Sequence, residues 1–456
     1  MTAEHPEPQG APAAAKRFRL DATILRNVAL TGVLQLSNYA LGLLTVPYLA
    51  RVLGVEPYGV LAFSISLNAY LWMLVDWGFT LSATKKVARH RDDPEALRKV
   101  FWETIEAKAL IGLLGLVTVI AAAFAAPSQY RWLIVASGML NILGSIVQME
   151  WFARGLESLG RFTTMAVGVR VATALLTFLI VQKPEDLWRM LLLQGVSGFL
   201  VGVLGYWYIQ RQWRFTRAAQ KLGELWRQIW DCRHYFLSQT AAIGYAAAAP
   251  LVLSLVSSPT QVGLYAAADK LVRVAMMLLA PVNLAIYPRI NALMAKNPAG
   301  AARLGMLALG AQLAIGIFLA VGLQLFAKPV IDIVMGRAFE PAIPIFQIMA
   351  FLPALAAANG VFNLLFLLPR GHKDLVSRIS VRTFVAFLGV EPGTTKASLF
   401  VDYQDGRLLT APLQPTAVVE AGMPCTTVAP AFSPDRRQIA YLVGVAPGTA
   451  PCTQTG

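Results

Sequence analysis

The chain has little of what metal centres, disulfide frameworks and soluble surfaces require. It contains three cysteines and four histidines in 456 residues, and none of them has metal-ligand spacing or the pattern of a disulfide framework. No glycine-rich phosphate loop is present. Charged residues make up 14% of a sequence that is 56% hydrophobic, and so few charges would leave the surface of a soluble domain apolar. These scarcities argue against a metal site, a nucleotide-driven pump and a soluble fold.

Long apolar stretches take up most of the sequence instead. About ten of them, each roughly 18 to 25 residues long, could cross a bilayer as helices. They lie at residues 28–49, 58–77, 100–126, 131–152, 162–181, 187–210, 235–256, 262–287, 304–326 and 342–368. We therefore predict an all-α, polytopic membrane protein with about ten transmembrane helices.

The basic residues predict how these helices are oriented. Lys and Arg in short loops are retained on the cytoplasmic side, and basic loops alternate with loops that have at most one or two basic residues. This alternation predicts a cytoplasmic N-terminus. The formal net charge of +14 then reflects loops that lie beside anionic membrane lipids. Because these charges do not form a single patch, nucleic-acid binding is not expected.

The same pattern divides the chain into five segments. These are a disordered cytoplasmic tail (1–25), a first bundle of about six helices (26–210), a basic cytoplasmic connector (211–234), a second bundle of about four helices (235–369) and a cytoplasmic, non-membrane tail (370–456). The last segment is rich in proline and has no run long enough to span. A frameshift, a fusion or a truncation near Ser380 would explain it, leaving a tail that is disordered or weakly folded. A small domain with strands at 400–403 and 438–443 is the alternative.

Two segments have the character of an internal repeat. They are residues 47–59 (PYLARVLGVEPYG) and 250–263 (PLVLSLVSSPTQVG). Each has a proline in the entering helix, a short outer loop with a second proline, and a glycine that opens the next helix. Internal repeats are common in transporters, so the pattern predicts two related halves.

An ordered set of motifs carries a more specific resemblance. The motifs are RVLGVEPYG at 51–59, DWGF at 76–79, WFARGLE at 151–157, VGLYAAADK at 262–270 and YPR at 287–289. In this order they resemble the bacterial polysaccharide transporters, the O-antigen and exopolysaccharide flippases of the multidrug/oligosaccharidyl-lipid/polysaccharide exporter (MOP) superfamily. The resemblance runs from about Arg26 to about Ser380.

The resemblance implies a two-bundle transporter of twelve helices, truncated here from six plus six to six plus four. Such a flippase moves undecaprenyl-pyrophosphate-linked oligosaccharide across the bacterial inner membrane by alternating access, and without two helices this chain could be inactive. The implied partners are the lipid-linked oligosaccharide, a coupling proton or sodium ion, a polysaccharide polymerase and a chain-length regulator. No cofactor and no catalytic residue are expected.

Ionisable residues within the spans are the candidate substrate-binding residues, because such groups are costly to place in lipid. Arg170 lies about halfway along its predicted span, where its planar guanidinium could bind a phosphate or pair with a neighbouring carbonyl or carboxylate. The other candidates are Asp269, Lys270 and Arg273 in the eighth span, and Asp76 and Arg154 at the cytoplasmic ends of the second and fourth spans.

Each of these candidates also has a structural interpretation. Asp269 and Arg273 are spaced i, i+4 and could form an ion pair on one helix face, which leaves Lys270 less well explained. Asp76 could simply mark the membrane boundary, as could Arg154 with Glu150 four residues before it.

Two other functions remain open. A drug or small-cation exporter of the same superfamily would need acidic groups at mid-membrane, whereas the central ionisable groups predicted here are mostly basic. A membrane glycosyltransferase or polymerase would need large outer loops with catalytic carboxylates or arginines, and the predicted outer loops are short. A flippase, which is not an enzyme, is therefore the favoured prediction.

Overall fold

The computed structural model describes most of the predicted membrane region. It describes residues 41–361, apart from 43, 218–219, 241–244, 278, 280–285, 287–288, 291–292 and 295–296, together with 397–400, 430–432 and 439–443. The predicted N-terminal tail, most of the first predicted span and the segment around Ser380 lie outside these residues. The expected loss of the last two helices therefore also lies outside them.

The first half is built from eight helices in the described residues. They are α1 Leu44–Leu53, α2 Val55–Asp76, α3 Phe79–Arg89, α4 Pro94–Ala123, α5 Arg131–Ile146, α6 Glu150–Gly155, α7 Leu159–Ile180 and α8 Leu187–Trp213. Gly54, at φ 75°, separates α1 from α2 in a backbone conformation that glycine adopts readily. Asp93 caps α4 by accepting from the backbone nitrogens of Glu95 and Ala96, and Pro94 occupies its first turn, which are sequence signals of a helix start.

The second half follows the connector, which the structure shows to be partly helical. The bounds are α9 Leu222–Asp231 and α10 Arg233–Gln239 in and after the connector, then α11 Tyr245–Val256, α12 Pro259–Met277, α13 Pro298–Leu325, α14 Ala327–Val334, α15 Ile343–Met349 and α16 Leu352–Val361. The Asn297 carboxamide accepts from the Gly300 backbone nitrogen at 2.8 Å and so caps α13.

Seven helical segments of the described residues are long and apolar enough to cross a membrane. They contain α2 with α3, α4, α5 with α6, α7, α8, α13, and α15 with α16. Many large apolar side chains face outward, such as Leu113 at 63% and Phe318 at 76% exposed, as expected where lipid is the solvent. The predicted membrane fold is confirmed. The count of ten is not, because α1 and α11 are short, α12 carries charges, and parts of those predicted spans lie outside the described residues.

Small residues let α5 and α8 approach closely inside the first half. A Cβ added at Gly144 of α5 would lie 2.7 Å from the Gly198 carbonyl oxygen, and one at Gly202 would overlap the Gly144 carbonyl oxygen. Thr173 of α7 donates to Ser197 of α8 at 2.8 Å. Glycine at such crossings is typical of membrane helices, which associate through close packing and interhelical hydrogen bonds.

The C-terminal tail contains a small antiparallel sheet. Its strands are β1 Ala397–Phe400, β2 Pro430–Phe432 and β3 Ile439–Val443, in the order β1-β3-β2. Leu399 pairs with Tyr441, and Phe432 pairs with Ile439. The strand expected at 438–443 is present from Ile439. The strand expected at 400–403 overlaps β1 only at Phe400, and residues 401–403 lie outside the described residues. The all-α description applies to the membrane region.

Candidate functional site

The two repeat segments meet where the halves of the molecule cross. A Cβ added at Gly59 of α2 would overlap the Pro259 carbonyl oxygen and lie 2.8 Å from the Gly263 nitrogen. Conversely, a Cβ added at Gly263 of α12 would overlap the Val55 carbonyl oxygen and lie 3.1 Å from the Gly59 nitrogen. The glycines that occupy equivalent places in the repeat therefore contact each other, and only a hydrogen atom at each position permits this backbone approach.

Further contacts close the molecule at the same end. The Tyr58 ring meets the Phe339 ring edge-on, with centroids 5.6 Å apart, and the Arg51 guanidinium donates to the Ile333 carbonyl oxygen. Residues of both halves form one buried apolar cluster there, which includes Leu53, Val262 and Ile331. A solute passing between the halves would have to separate these surfaces.

A narrow space lies beside the glycine crossing. A cavity of about 20 Å³ is lined by residues of both halves, among them Gly59, Phe63, Ser254, Ser257 and Val262. This volume holds about one water molecule. A cavity of this size does not admit a sugar.

The charged residues of α12 lie on the second-half side of this crossing. The Arg273 Nε is 2.6 Å from the Asp269 Oδ2, so the predicted i, i+4 ion pair is present. The Asp269 carboxylate also acts electrostatically on Tyr58 of the first half. Lys270 is exposed and lies within electrostatic range of both Asp269 and Arg273.

A second charged group lies inside the first half. The Arg154 Nη2 is 2.5 Å from the Glu150 Oε1, and both residues sit on α6. Arg170 lies within electrostatic range of Glu150. We call Glu150, Arg154 and Arg170 the arginine cluster, which has two guanidinium groups and one carboxylate.

Arg170 faces the interior of the first half. The buried residues of α7 form one helical stripe of Phe162, Ala166, Val169 and Thr177, and position 170 falls within it because residues four and eight apart share a face. The Arg170 Nη1 atom is buried and has no hydrogen-bond partner among the described residues. A buried guanidinium nitrogen without a partner is costly, and an anion that entered beside it would supply the missing acceptor.

Asp76 is buried in an ion pair inside the first half. It is 1% exposed, its Oδ1 lies 3.2 Å from the Lys108 Nζ, and it accepts from the Thr80 hydroxyl at 2.7 Å. Lys108 is equally buried and lies 3.5 Å from the Ser145 carbonyl oxygen. The pair links α2 to α4 and leaves Asp76 no exposed oxygen for a ligand.

The residues after Asp76 hold the connector. Trp77 and Gly78 have positive φ values of 45° and 80° and form a sharp corner between α2 and α3. The Trp77 Nε1 donates to the Ile229 carbonyl oxygen at 3.0 Å, and its ring stacks on Phe236 with centroids 4.0 Å apart. The DWGF motif thus provides both a buried ion pair and a docking point for the segment that joins the halves.

The structure therefore sorts the predicted site residues into three groups. Asp269, Lys270 and Arg273 lie on α12, Arg154 and Arg170 belong to the arginine cluster, and Asp76 pairs with Lys108. Lys108 was missed by the sequence analysis, although a lysine within the predicted span 100–126 was a signal that could have been followed.

Comparison with known proteins places this architecture in a family. A family profile described as polysaccharide biosynthesis protein matches residues 24–294. The chain is 27% identical over 375 residues to a protein named as an O-antigen transporter of Escherichia coli K12, covering 82% of this chain and 90% of that protein. It is 26% identical over 211 residues, 45% of this chain and 37% of that protein, to the succinoglycan biosynthesis transport protein ExoT of Rhizobium meliloti.

A solved structure shares the fold. It is an inward-facing multidrug resistance transporter of the MATE family and the MOP superfamily, with a TM-score of 0.57 at 14% identity, covering 80% of this chain and 89% of that one. At this level of identity the likeness concerns the fold alone. The ordered motifs, the membrane helices in two halves and a profile that covers more than half of the sequence agree. The chain belongs to the polysaccharide biosynthesis protein family.

Proposed function

We propose that this protein is a flippase that moves an undecaprenyl-pyrophosphate-linked oligosaccharide across the bacterial inner membrane. The observation that carries the proposal is the arginine cluster, in which the buried Arg170 Nη1 has no hydrogen-bond partner among the described residues. The relatives named as O-antigen and succinoglycan transporters support the class of cargo. We infer no catalytic step, so the protein acts as a transporter and not as an enzyme.

The arginine cluster is suited to a pyrophosphate by charge and by shape. Arg154 is paired with Glu150, and Arg170 lies within electrostatic range of the same carboxylate, so the cluster retains one formal positive charge. Arginine presents a planar set of donors that matches phosphate oxygens and makes short, charge-assisted hydrogen bonds. An arriving pyrophosphate would satisfy Arg170 and would compete with Glu150 for Arg154. We propose Lys270 and the Asp269–Arg273 pair as a second contact with the headgroup, on the opposite half.

Transport would proceed by alternating access. The halves are closed at the Gly59–Gly263 crossing, so release at that end requires them to separate there. The rest of the cycle would expose the arginine cluster to the opposite side. With no nucleotide site in the sequence, we propose that a proton or sodium gradient, or the concentration of lipid-linked substrate, drives the cycle.

The orientation follows from the basic loops. We propose a cytoplasmic N-terminus, which places the connector in the cytoplasm and the Gly59–Gly263 crossing on the periplasmic side. The polysaccharide polymerase and the chain-length regulator, as proposed partners, would then receive the cargo at the crossing end.

Replacement of Arg170 tests the proposal directly. In a strain that lacks its own flippase, we expect the Arg170→Ala variant to reduce surface polysaccharide by about tenfold or more relative to this chain, because hydrogen bonds to charged groups contribute about 1.5–3 kcal/mol. Membrane levels of the variant should match those of the unmodified chain. Arg170→Lys should recover part of the output, since lysine keeps the charge and loses the planar fork.

A matched control is available at the surface. Arg98 pairs with Glu95 three residues away at 2.8 Å, and its removal should leave polysaccharide output unchanged. Output from Arg170→Ala equal to that of Arg98→Ala would remove Arg170 from the mechanism. If the unmodified chain itself restores no polysaccharide in any flippase-null host, the proposed cargo is wrong.

A further inference from the structure

One face of the connector helix α9 is exposed and apolar. Leu222, Trp226 and Trp230 are 68%, 62% and 58% exposed, and their i, i+4, i+8 spacing places them in one row. The neighbouring face carries Leu225 and Ile229, which are buried against Phe79, Ala107 and Ile111 of the first half. The apolar side of the helix is thus wider than the part of it that the protein buries.

The remaining face of α9 is polar. Glu224, Arg227 and Asp231 are all exposed. Around the helix they lie opposite the line where the buried face, which includes Ile229, meets the exposed apolar row, which includes Leu222. Around the helix axis, the order is therefore protein core, exposed apolar row and polar face. A helix at the corner between a membrane bundle and the surface of the bilayer has this order, because its polar face turns to water and its apolar row to lipid.

The exposed tryptophans also have basic partners at headgroup positions. The Arg233 guanidinium lies over the Trp230 ring at 4.8 Å from the centroid, and the Arg211 guanidinium lies over the exposed Trp207 ring at 5.2 Å. Trp207 lies in the last two turns of the membrane helix α8, whereas Trp188 lies in its first turn. Tryptophan is enriched where membrane helices meet the headgroups, so Trp207 marks the boundary on the side of the connector.

We propose that α9 is an interfacial helix that binds the anionic phospholipid leaflet on the side of the connector. Leu222, Trp226 and Trp230 enter the boundary between headgroups and acyl chains. Lys221 and Arg233, at the two ends of the row, bind anionic headgroups. Two observations favour lipid as the occupant: α9 packs against the membrane helix α4, whose exposed apolar side chains include Leu113 and Val117, and the flanks of the row are basic. The side of the membrane rests on the proposed orientation.

Contact with the leaflet would be transmitted to both halves. The inner face of α9 is fixed to the first half by the Trp77–Ile229 hydrogen bond, and α10 follows it directly toward the second half. The lipid-bound helix therefore holds the connector at a fixed depth while the halves move.

Fluorescence quenching by brominated lipids tests the insertion. The full chain and its Trp226→Phe/Trp230→Phe variant are reconstituted into phosphatidylcholine–phosphatidylglycerol vesicles. The tryptophan fluorescence of the full chain minus that of the variant is the emission of Trp226 and Trp230. We expect bromine on the upper acyl chain to quench this difference at least about twofold more than bromine near the bilayer centre. Trp132→Phe, at an exposed tryptophan on α5 (65% exposed), calibrates the method. Equal emission with and without bromine would overturn the proposal, since the row would then face water or another protein.

The charge preference has its own measurement. Brominated phosphatidylglycerol should quench the difference signal at least about twofold more than brominated phosphatidylcholine at the same mole fraction. Lys221→Gln/Arg233→Gln should abolish that preference and leave insertion intact. Equal quenching of the unmodified chain by the two brominated lipids would overturn the proposed preference for anionic lipid. Neither measurement requires transport, so both outcomes are independent of the proposed flippase function.

Discussion

A valine at position 59 is expected to force the two halves apart at their crossing. Any Cβ at Gly59 overlaps the Pro259 carbonyl oxygen, which belongs to the backbone and cannot rotate away. Overpacking of this kind costs about 1–3 kcal/mol, and a bias of that size changes the ratio of two conformations about 5- to 150-fold. We therefore expect the closed conformation to be depleted and polysaccharide transport to fall by a similar factor.

The separation can be measured across the interface. Spin labels at Glu56→Cys on α2 and Gln261→Cys on α12, in a chain without its native cysteines, report the distance between the halves one turn from the crossing. We expect a longer and broader distance distribution in Gly59→Val, and the same in Gly263→Val. Gly168→Val is the matched control, because nothing lies within 4 Å of a Cβ at Gly168. An unchanged distance in both crossing variants would contradict the role assigned to the two glycines.

Removal of one partner of the buried ion pair should have the largest effect on stability. In Asp76→Asn, the Lys108 amine, at a site that is 1% exposed, loses the carboxylate 3.2 Å away. Breaking a buried pair on one side destabilises a protein by about 3–5 kcal/mol. We expect a strong loss of membrane level and a lower unfolding temperature of the purified protein in detergent.

The double variant separates stability from transport. Asp76→Asn/Lys108→Met removes both charges and should regain most of the lost stability, since replacing a whole buried pair is far less costly than breaking it. Loss of the exposed pair in Arg98→Ala should change stability by about 0–1 kcal/mol at most. A double variant that is stable but transports nothing would show that the pair acts in transport and is not only structural.

Several parts of the site could be predicted because they depend on short-range spacing. The Asp269–Arg273 and Glu150–Arg154 pairs are both i, i+4 and follow from helix geometry. The prolines and glycines of the repeat also pointed to Gly59 and Gly263. Lys108 could not be paired with Asp76 in this way, because the two residues are 32 positions apart in the chain and lie on different helices.

The sequence by itself determined that the protein lies in a lipid bilayer, that its long helices are transmembrane helices, and which family it belongs to. Those conclusions depend on the length of apolar runs, on the alternation of basic loops and on ordered motifs, all of which are local along the chain. Only the tertiary structure decided that Asp76 forms a buried ion pair with Lys108, that Arg170 faces the interior of the bundle, and that the repeat glycines contact each other. Each of these depends on which helices are neighbours and on how they are rotated, and in lipid that choice is made by close packing and by the pairing of buried polar groups rather than by hydrophobicity.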